Sequence, residues 1–490
     1  MTTTAARATT TAARATTSAR ESTPTSARER GARARERLEA LCDDGLIEDI
    51  AGVPESRTVT AALGTVDGRR VVCFSFDCTH HGGALGVAEG ATIVAALEHA
   101  GRLGVPVVGF YECAGASLQE GVAALGAYAS VFRTISLLSQ RIPQIAVLTG
   151  ANAGGGAYAP ALADVVIMSA DSKAFLTGPK VVKATLGEVV TADDLGGPPV
   201  HARNGVAHLA ADDEDEVRAT VRRVLAYFPD TVGAPLPRSA ETAEPTGDPG
   251  DALPDRDRAP YDVRDVIERT VDAGSFLELA PKWAANMVTG FARLDGEVVG
   301  VLANQPAWLG GAIDNDAAEK AARFVRTCDL YGIALVVLVD TPGFLPGKVQ
   351  ENEGLIGTGA KLVRAFSEAT VPTMTVILRK AFGGGYIAMN SRGLGAGRVL
   401  AWPGACAAVM GGKHAATVLH ARDEDSLDEY GNRYDEEHVG LREAIEADLV
   451  DAVVAPAQTR QALIRARREL DREPNGYWTP AMAADVVATR

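Results

Sequence analysis

Two glycine triplets are the residues best placed to do chemistry, Gly154-Gly155-Gly156 and Gly383-Gly384-Gly385. Each ends an apolar run and opens a small-residue stretch of helical character. Glycine lets the backbone approach a ligand closely and adopt angles that other residues avoid. Unpaired N–H groups at the start of a helix then point outward with the helix dipole behind them. The result is a donor pocket for a negative oxygen, either a phosphate or an oxyanion. One such triplet is as easily a plain strand-to-helix turn; two at matching places argue for a ligand. The chain holds no GxxxxGK[ST] and no GxGxxG after its first strand, so the two familiar phosphate cradles are missing. Asp340-Thr-Pro-Gly343 has the form of a DxxG switch, but without a phosphate loop that form carries nothing. Two facing oxyanion holes remain.

The elements that must position them are duplicated. Gly104-Val-Pro-Val-Val-Gly-Phe-Tyr-Glu112-Cys-Ala-Gly115 returns as Gly332-Ile-Ala-Leu-Val-Val-Leu-Val-Asp340-Thr-Pro-Gly343, 228 positions on. The segment from Ile142 to Gly156 returns as Val371 to Gly385, 229 positions on. Two matches at nearly one offset indicate an internal repeat of domain size, not a solenoid. Strands are unbroken Val/Ile/Leu runs, as expected where both faces are covered. Helices intervene, for example over Ala88 to Leu103 and Asp316 to Tyr331. The expected class is α/β, with two halves built on largely parallel sheets.

Composition sets the limits. The chain has 490 residues, 47% apolar and 23% charged, with a net charge of −15. The acidic balance excludes general affinity for a nucleic-acid backbone. The longest strongly apolar run, Ile333 to Val339, is far short of a membrane helix, and with no apolar signal segment the expected place is the cytoplasm. Cys42, Cys73, Cys78, Cys113, Cys328 and Cys406 show no CxxC spacing, and the histidines no HxxxH, so no metal site is expected. Residues 1–37 are Thr, Ala, Ser and Arg with no acid before Glu21; disorder is expected there, with a transit peptide as the alternative. The stretch 236–260, rich in Pro, Gly and acids, reads as a linker between halves at 38–235 and 261–490.

Further motifs make the chain recognisable. They are Gln119-Glu-Gly-Val-Ala-Ala-Leu-Gly-Ala-Tyr128, Asn152-Ala-Gly-Gly-Gly-Ala-Tyr-Ala-Pro160, Phe175-Leu-Thr-Gly-Pro179, Ala303-Asn-Gln-Pro306, Glu319-Lys-Ala-Ala-Arg-Phe-Val-Arg-Thr-Cys-Asp329, Pro342-Gly-Phe-Leu-Pro-Gly347 and Arg379-Lys-Ala-Phe-Gly-Gly-Gly-Tyr386. Over about residues 58–480 the chain resembles the carboxyltransferase (β) subunit of biotin-dependent acyl-CoA carboxylases of the propionyl-CoA/acetyl-CoA type. The resemblance implies two duplicated crotonase-like (ClpP/crotonase) subdomains. It also implies a homohexameric ring whose sites lie where the N-half of one chain meets the C-half of another. The cofactor would be biotin on a partner, the biotin carboxylase/biotin carrier α subunit. The substrate would be a coenzyme A thioester, and neither nucleic acid nor membrane would be a partner.

That chemistry needs two holes. Loss of the α-proton charges the thioester oxygen, and loss of CO2 from carboxybiotin charges the ureido oxygen. By the resemblance, Gly154 and Gly155 serve the thioester, and Gly384 and Gly385 serve the biotin oxygen. No side-chain base is required, because the biotin anion can take the proton. Gly156, Ile387 and Lys380 are candidate substrate contacts. Ile387 is either a pocket residue or a core residue, and Lys380 either touches cofactor or CoA or is structural. Glu112 and Asp340 end equivalent strands as caps or as acids; His80 and His81 lie in a loop. A valine at 155 or 384 is expected to occupy the oxygen's place.

The chain also departs from its relatives. Glu112-Cys-Ala-Gly-Ala-Ser117 stands where Asp-Ser-Gly-Gly-Ala-Arg is usual, and Asn152 stands where cysteine is usual. Gly357-Thr358-Gly359 replaces a pattern with a basic residue, and the helical region before the first strand is shortened. These differences point to a specialised member. They leave open a decarboxylase acting on a malonyl-type thioester, with or without biotin. A scaffold that has lost catalysis is the non-enzymatic alternative, against which both intact triplets speak.

Overall fold

The computed structural model describes residues 27–472, apart from Glu55, His80, Glu241, 257–258 and 420–426. The first half holds a seven-stranded sheet. Its strands are β1 (Ile47–Asp49), β2 (Val59–Val66), β3 (Arg69–Phe76), β4 (Val107–Tyr111), β5 (Gln144–Leu148), β7 (Val165–Ser169) and β9 (Leu209–Ala211), in that order across the sheet. A two-stranded ribbon of β6 (Ala151–Ala153) and β8 (Lys173–Phe175) stands off it. The second half repeats the plan with β10 (Leu277–Leu279), β11 (Met287–Leu294), β12 (Glu297–Asn304), β13 (Ala334–Thr341), β14 (Thr373–Phe382), β15 (Arg398–Ala401) and β17 (Ala452–Val453), while β16 (Cys406–Ala408) pairs with the far end of β14.

Each sheet is parallel from its third strand onward and antiparallel before it. The parallel part follows from helical crossovers such as Val87–Leu103 between β3 and β4, and Asn315–Leu330 between β12 and β13. The antiparallel part follows from two tight hairpins. Asp67-Gly68 (φ +50° and +74°) joins β2 to β3, and Asp295-Gly296 (φ +56° and +77°) joins β11 to β12. An Asp-Gly pair is the turn that takes positive φ at both central positions.

The core crosses from one half to the other. The Phe228 ring lies edge-on to Phe291 at 5.1 Å and to Tyr331 at 5.0 Å. The Tyr331 hydroxyl donates to Asp164 Oδ2 at 2.8 Å, which also accepts the Gln144 N–H at 2.8 Å. Burial pushes the Asp164 carboxyl up to about 7. Nearby, burial holds the His208 imidazole down at about 4, with its Nδ1 accepting the Val166 N–H.

One expectation is corrected. The segment 1–37 is not without structure throughout, because a helix spans Ala27–Leu41. Ala34, Leu38 and Leu41 are fully buried and Arg37 pairs with Glu214 at 3.0 Å, so apolar anchors late in the segment dock it. Residues 1–26 lie outside the described residues. The stretch 236–260 between the halves is held in place by arginines that bind its carbonyls: Arg293 Nη1 to Pro237 O at 2.8 Å, Arg269 Nη1 to Asp248 O at 3.0 Å and Arg379 Nη1 to Ala259 O at 2.9 Å.

Candidate active site

Each half builds a recess from two lips that leave neighbouring strands. In the N-half the first lip continues β4 as Cys113–Ser117. Leu85 N–H donates to Gly115 O and Ser117 N–H donates to Leu85 O, both at 2.9 Å. A residue bracketed this way turns its own N–H to the opposite edge, so Ala116 N–H faces away from Leu85. The opposite edge holds the second lip, as the Ala153 N–H to Cys113 O bond at 2.9 Å fixes. That lip runs from β6 through Gly154 (φ +56°) into the short helix Gly155–Ala161. The C-half repeats the construction. Ile313 N–H donates to Gly343 O at 3.0 Å and Leu345 N–H to Ile313 O at 2.8 Å, which turns Phe344 N–H outward. Gly383 (φ +55°) then opens the helix Gly383–Ala388.

The glycines are required for different reasons. Gly154 (φ +56°, ψ −123°) occupies a backbone region that suits glycine alone, and Gly383 lies at the positive φ that glycine takes most readily. A Cβ on Gly156 would lie 2.9 Å from Cys113 O, and one on Gly385 2.7 Å from Gly343 Cα, so these two let the lips close. A Cβ on Gly155 would meet the buried Tyr128 ring at 2.8 Å, and one on Gly384 the Phe344 ring at 3.2 Å. This corrects the idea that a valine there simply fills the oxygen's place: it first displaces a ring.

The Gly154 amide is already taken, donating to Phe175 O at 3.0 Å in the β6–β8 ribbon. That leaves the Gly155 N–H, next in the chain at the helix start, as the candidate donor of the N-half triplet. Sequence reasoning missed Ala116 and Phe344 as candidate second donors. The signal was present, since Gly115 and Gly343 precede them at matching places in the repeat.

The remaining candidates separate. Asp340 is fully buried, paired with Arg379 Nε at 2.9 Å and with Lys380 Nζ at 3.7 Å, and also accepts the Lys380 N–H at 3.3 Å. Lys380 thus anchors Asp340, and Asp340 is no open acid. Glu112 lies against Gly150 and lines a groove with Phe76, Thr149 and Arg218. Ile387 is half exposed, which rejects a core role. It lines a cavity of about 670 Å³ with Gly384, Val409, Tyr434, His438 and Leu449. His81 is exposed at φ +48°, and His80 lies outside the described residues. Beneath the N-half recess the Cys113 thiol sits 3.1 Å from the Tyr128 hydroxyl, and burial pushes both up. Among the described residues no group of three or more His, Cys, Asp or Glu is arranged to hold a metal.

Comparison with known proteins decides the family. The carboxyl transferase domain matches residues 40–480. The chain belongs to the carboxyl transferase family. Carboxyltransferase relatives come from both directions of the chemistry. The methylmalonyl-CoA decarboxylase subunit alpha of Veillonella parvula is 45% identical over 413 residues, 83% of this chain and 81% of that one. The propionyl-CoA carboxylase beta chain of Saccharopolyspora erythraea is 45% identical over 441 residues, covering 85% and 81%. Among solved structures, the transcarboxylase 12S hexamer with methylmalonyl-coenzyme A bound matches at a TM-score of 0.87 and 38% identity, over 91% of both chains. The carboxyltransferase has the crotonase-like fold, once in each half.

Proposed function

We propose that this carboxyltransferase subunit moves a carboxyl group between carboxybiotin on a partner and the α-carbon of a short acyl-CoA. The observation that carries the reading is the duplicated recess, in which an outward-turned lip amide in each half stands on the lip next to one that opens a glycine-started helix. Ala116 and Gly155 N–H would hold the thioester oxygen as the α-carbon loses its proton. Phe344 and Gly384 N–H would hold the ureido oxygen as it gains charge. Biotin supplies the activated carboxyl group. The C-half fits it, because glycines keep side chains off the recess floor and the cavity beside Gly384 has room for a bicyclic ring. Donors aimed at developing charge contribute roughly 10²–10³ in rate each. The chain's part is to stabilise charge at two oxygens.

Assembly completes the site in this reading. The N-half recess lies among exposed Leu118, Val122, Leu125 and Tyr158, and the C-half recess among Ile356, Ile387 and Val409. Such apolar faces suit a second copy, N-half against C-half, in a homohexamer. Biotin comes from an α-type subunit. None of the nine lysines is flanked by methionine, and the nearest methionine to any lysine is Met410, three residues before Lys413. Among the described residues no helix is long and apolar enough to cross a membrane; the reading places the enzyme in the cytoplasm.

The test is a labelled-bicarbonate assay with ATP and acyl-CoA, with and without a biotinylated α-type subunit, beside a streptavidin blot. Fixation only with the partner and a blank blot are expected. Biotin on this chain, or ATP-driven fixation by it alone, would overturn the reading. A second reading has one observation in its favour, the 45% identity to a decarboxylase subunit. Release of CO2 from a malonyl-type thioester by the pure chain would establish it.

A further inference from the structure

We propose that Asn152 is the positioning residue of the thioester hole, the side chain that sets the distance between its two amide donors. The inference rests on the reading of the N-half recess given above. Asn152 is fully buried on the ribbon strand β6, three residues before Gly155. Its amide binds three backbone groups. Oδ1 accepts the Cys113 N–H at 3.2 Å. Nδ2 donates to Tyr111 O at 3.2 Å and to Gly150 O at 3.0 Å.

These partners lie where the two lips part. The β4–β5 ladder has its last pair at Tyr111 and Leu148. Beyond it the chain leaving β4 goes on to Ala116, and the chain leaving β5 goes on through Gly150 and β6 to Gly155. Asn152 holds the first lip at Cys113, three residues before one donor, while sitting three residues before the other. Its hold on Gly150 fixes the turn between them. A strut at that fork controls the gap at the tips.

The C-half has no such strut. The position matching Asn152 is Ala381, which has no polar side chain. There the sheet itself continues to the fork: Thr341 pairs with Ala381 in the β13–β14 ladder, after an irregularity at Val339. The C-half lips are joined by backbone pairing, and the N-half lips are joined further by one carboxamide. A carboxamide has two donors and a strong acceptor in one plane, which a thiol at the same place lacks.

The test separates binding of charge from binding in general. The ligands are a CoA thioether that mimics the neutral substrate and a CoA thioether bearing a nitronate, which mimics the enolate. Dissociation constants of both are measured by calorimetry on the assembled wild-type enzyme and on Asn152→Ala and Asn152→Cys. Wild type is expected to prefer the charged ligand strongly. Both variants are expected to lose about tenfold or more of that preference, in line with displacement of an oxyanion donor, with the neutral ligand changed less than about threefold. Asn152→Cys, which keeps a small side chain that fills part of the same space, guards against failure of the alanine variant to fold. A preference equal to wild type in a folded variant, or equal weakening of both ligands, overturns the positioning role alone. No preference in wild type overturns the reading of the N-half hole and this inference with it.

Discussion

The two halves reach the same backbone shape over different supports. Behind the C-half recess lies a buried charge cluster: Asp340 paired with Arg379 and Lys380, its own N–H bonded to Asn304 Oδ1 at 3.3 Å. The matching N-half positions are Glu112, Gly150, Ala151 and Phe76. There Phe76 stacks on Tyr111 at 5.7 Å, and Glu112 borders a groove in place of a buried arginine. Positive φ at Gly154 and Gly383, and close approach at Gly156 and Gly385, recur in both. The recess is thus a property of backbone and glycine, and each half has found its own way to brace it.

The largest difference is expected at the strand ends. Asp340→Ala strands the nearly buried Arg379 and should cost about 3–5 kcal/mol, while Glu112→Ala should stay within about 1 kcal/mol. Urea denaturation of the two variants measures both, and equal losses would dissolve the contrast in bracing. Next come the glycines. Gly155→Ala pushes on the buried Tyr128 ring and Gly384→Ala on the less confined Phe344 ring, so the first should slow turnover more. Valine at either place should cost at least about 10², read as steady-state rate with the oligomer checked by light scattering.

A smaller effect concerns the half-exposed residues two positions past the matching glycine triplets, Tyr158 and Ile387. Ile387→Asp should reorder acetyl-, propionyl- and butyryl-CoA by about 1–3 kcal/mol in specificity, and Tyr158→Phe should leave the order alone. The order is read from kcat/KM ratios; an unchanged order in Ile387→Asp would remove it from the acyl pocket.

The smallest net effect is on stability against pH, because two buried groups oppose each other. Asp164 holds its proton up to about 7 against an ordinary 3.8. The folded state therefore binds the extra proton, and its share of stability falls as pH rises from about 4 to 7. His208 stays neutral down to about 4 against an ordinary 6.5, with Lys320 and Arg323 reinforcing the effect of burial. Its share rises from about pH 4 to 6.5. Wild type should show a shallow profile. Asp164→Asn should expose the rising limb alone, with Tm climbing to about pH 6.5 and then level; a profile parallel to wild type would exclude Asp164 as the opposing group.

Much of this was legible in the sequence, and the reason differs by residue. The glycine triplets and the repeat were visible because backbone strain and close packing force a residue type. Which glycine donates was hidden, since the Phe175 carbonyl that takes the Gly154 amide comes from a ribbon 21 residues away. Asn152 read as a departure, and its meaning appeared only with the three backbone groups it binds. Asp340 and Lys380 looked like candidates for chemistry because charge at a strand end does; burial and Arg379 turn them into bracing. The helix Ala27–Leu41 was missed because its composition is that of a solvated tail, and only Ala34, Leu38 and Leu41 betray a docked face.

The strap between the halves shows how a clamp can look like a tether. The Arg293 guanidinium reaches Ala226 O at 2.7 Å, Pro237 O at 2.8 Å and Gly296 O at 2.9 Å, one carbonyl from each part it joins. A grip on carbonyls is blind to side chains. The strap's path at residue 237 is thus set by an arginine that lies outside it, while farther on buried Pro249 and the packed Leu253 hold it by their side chains.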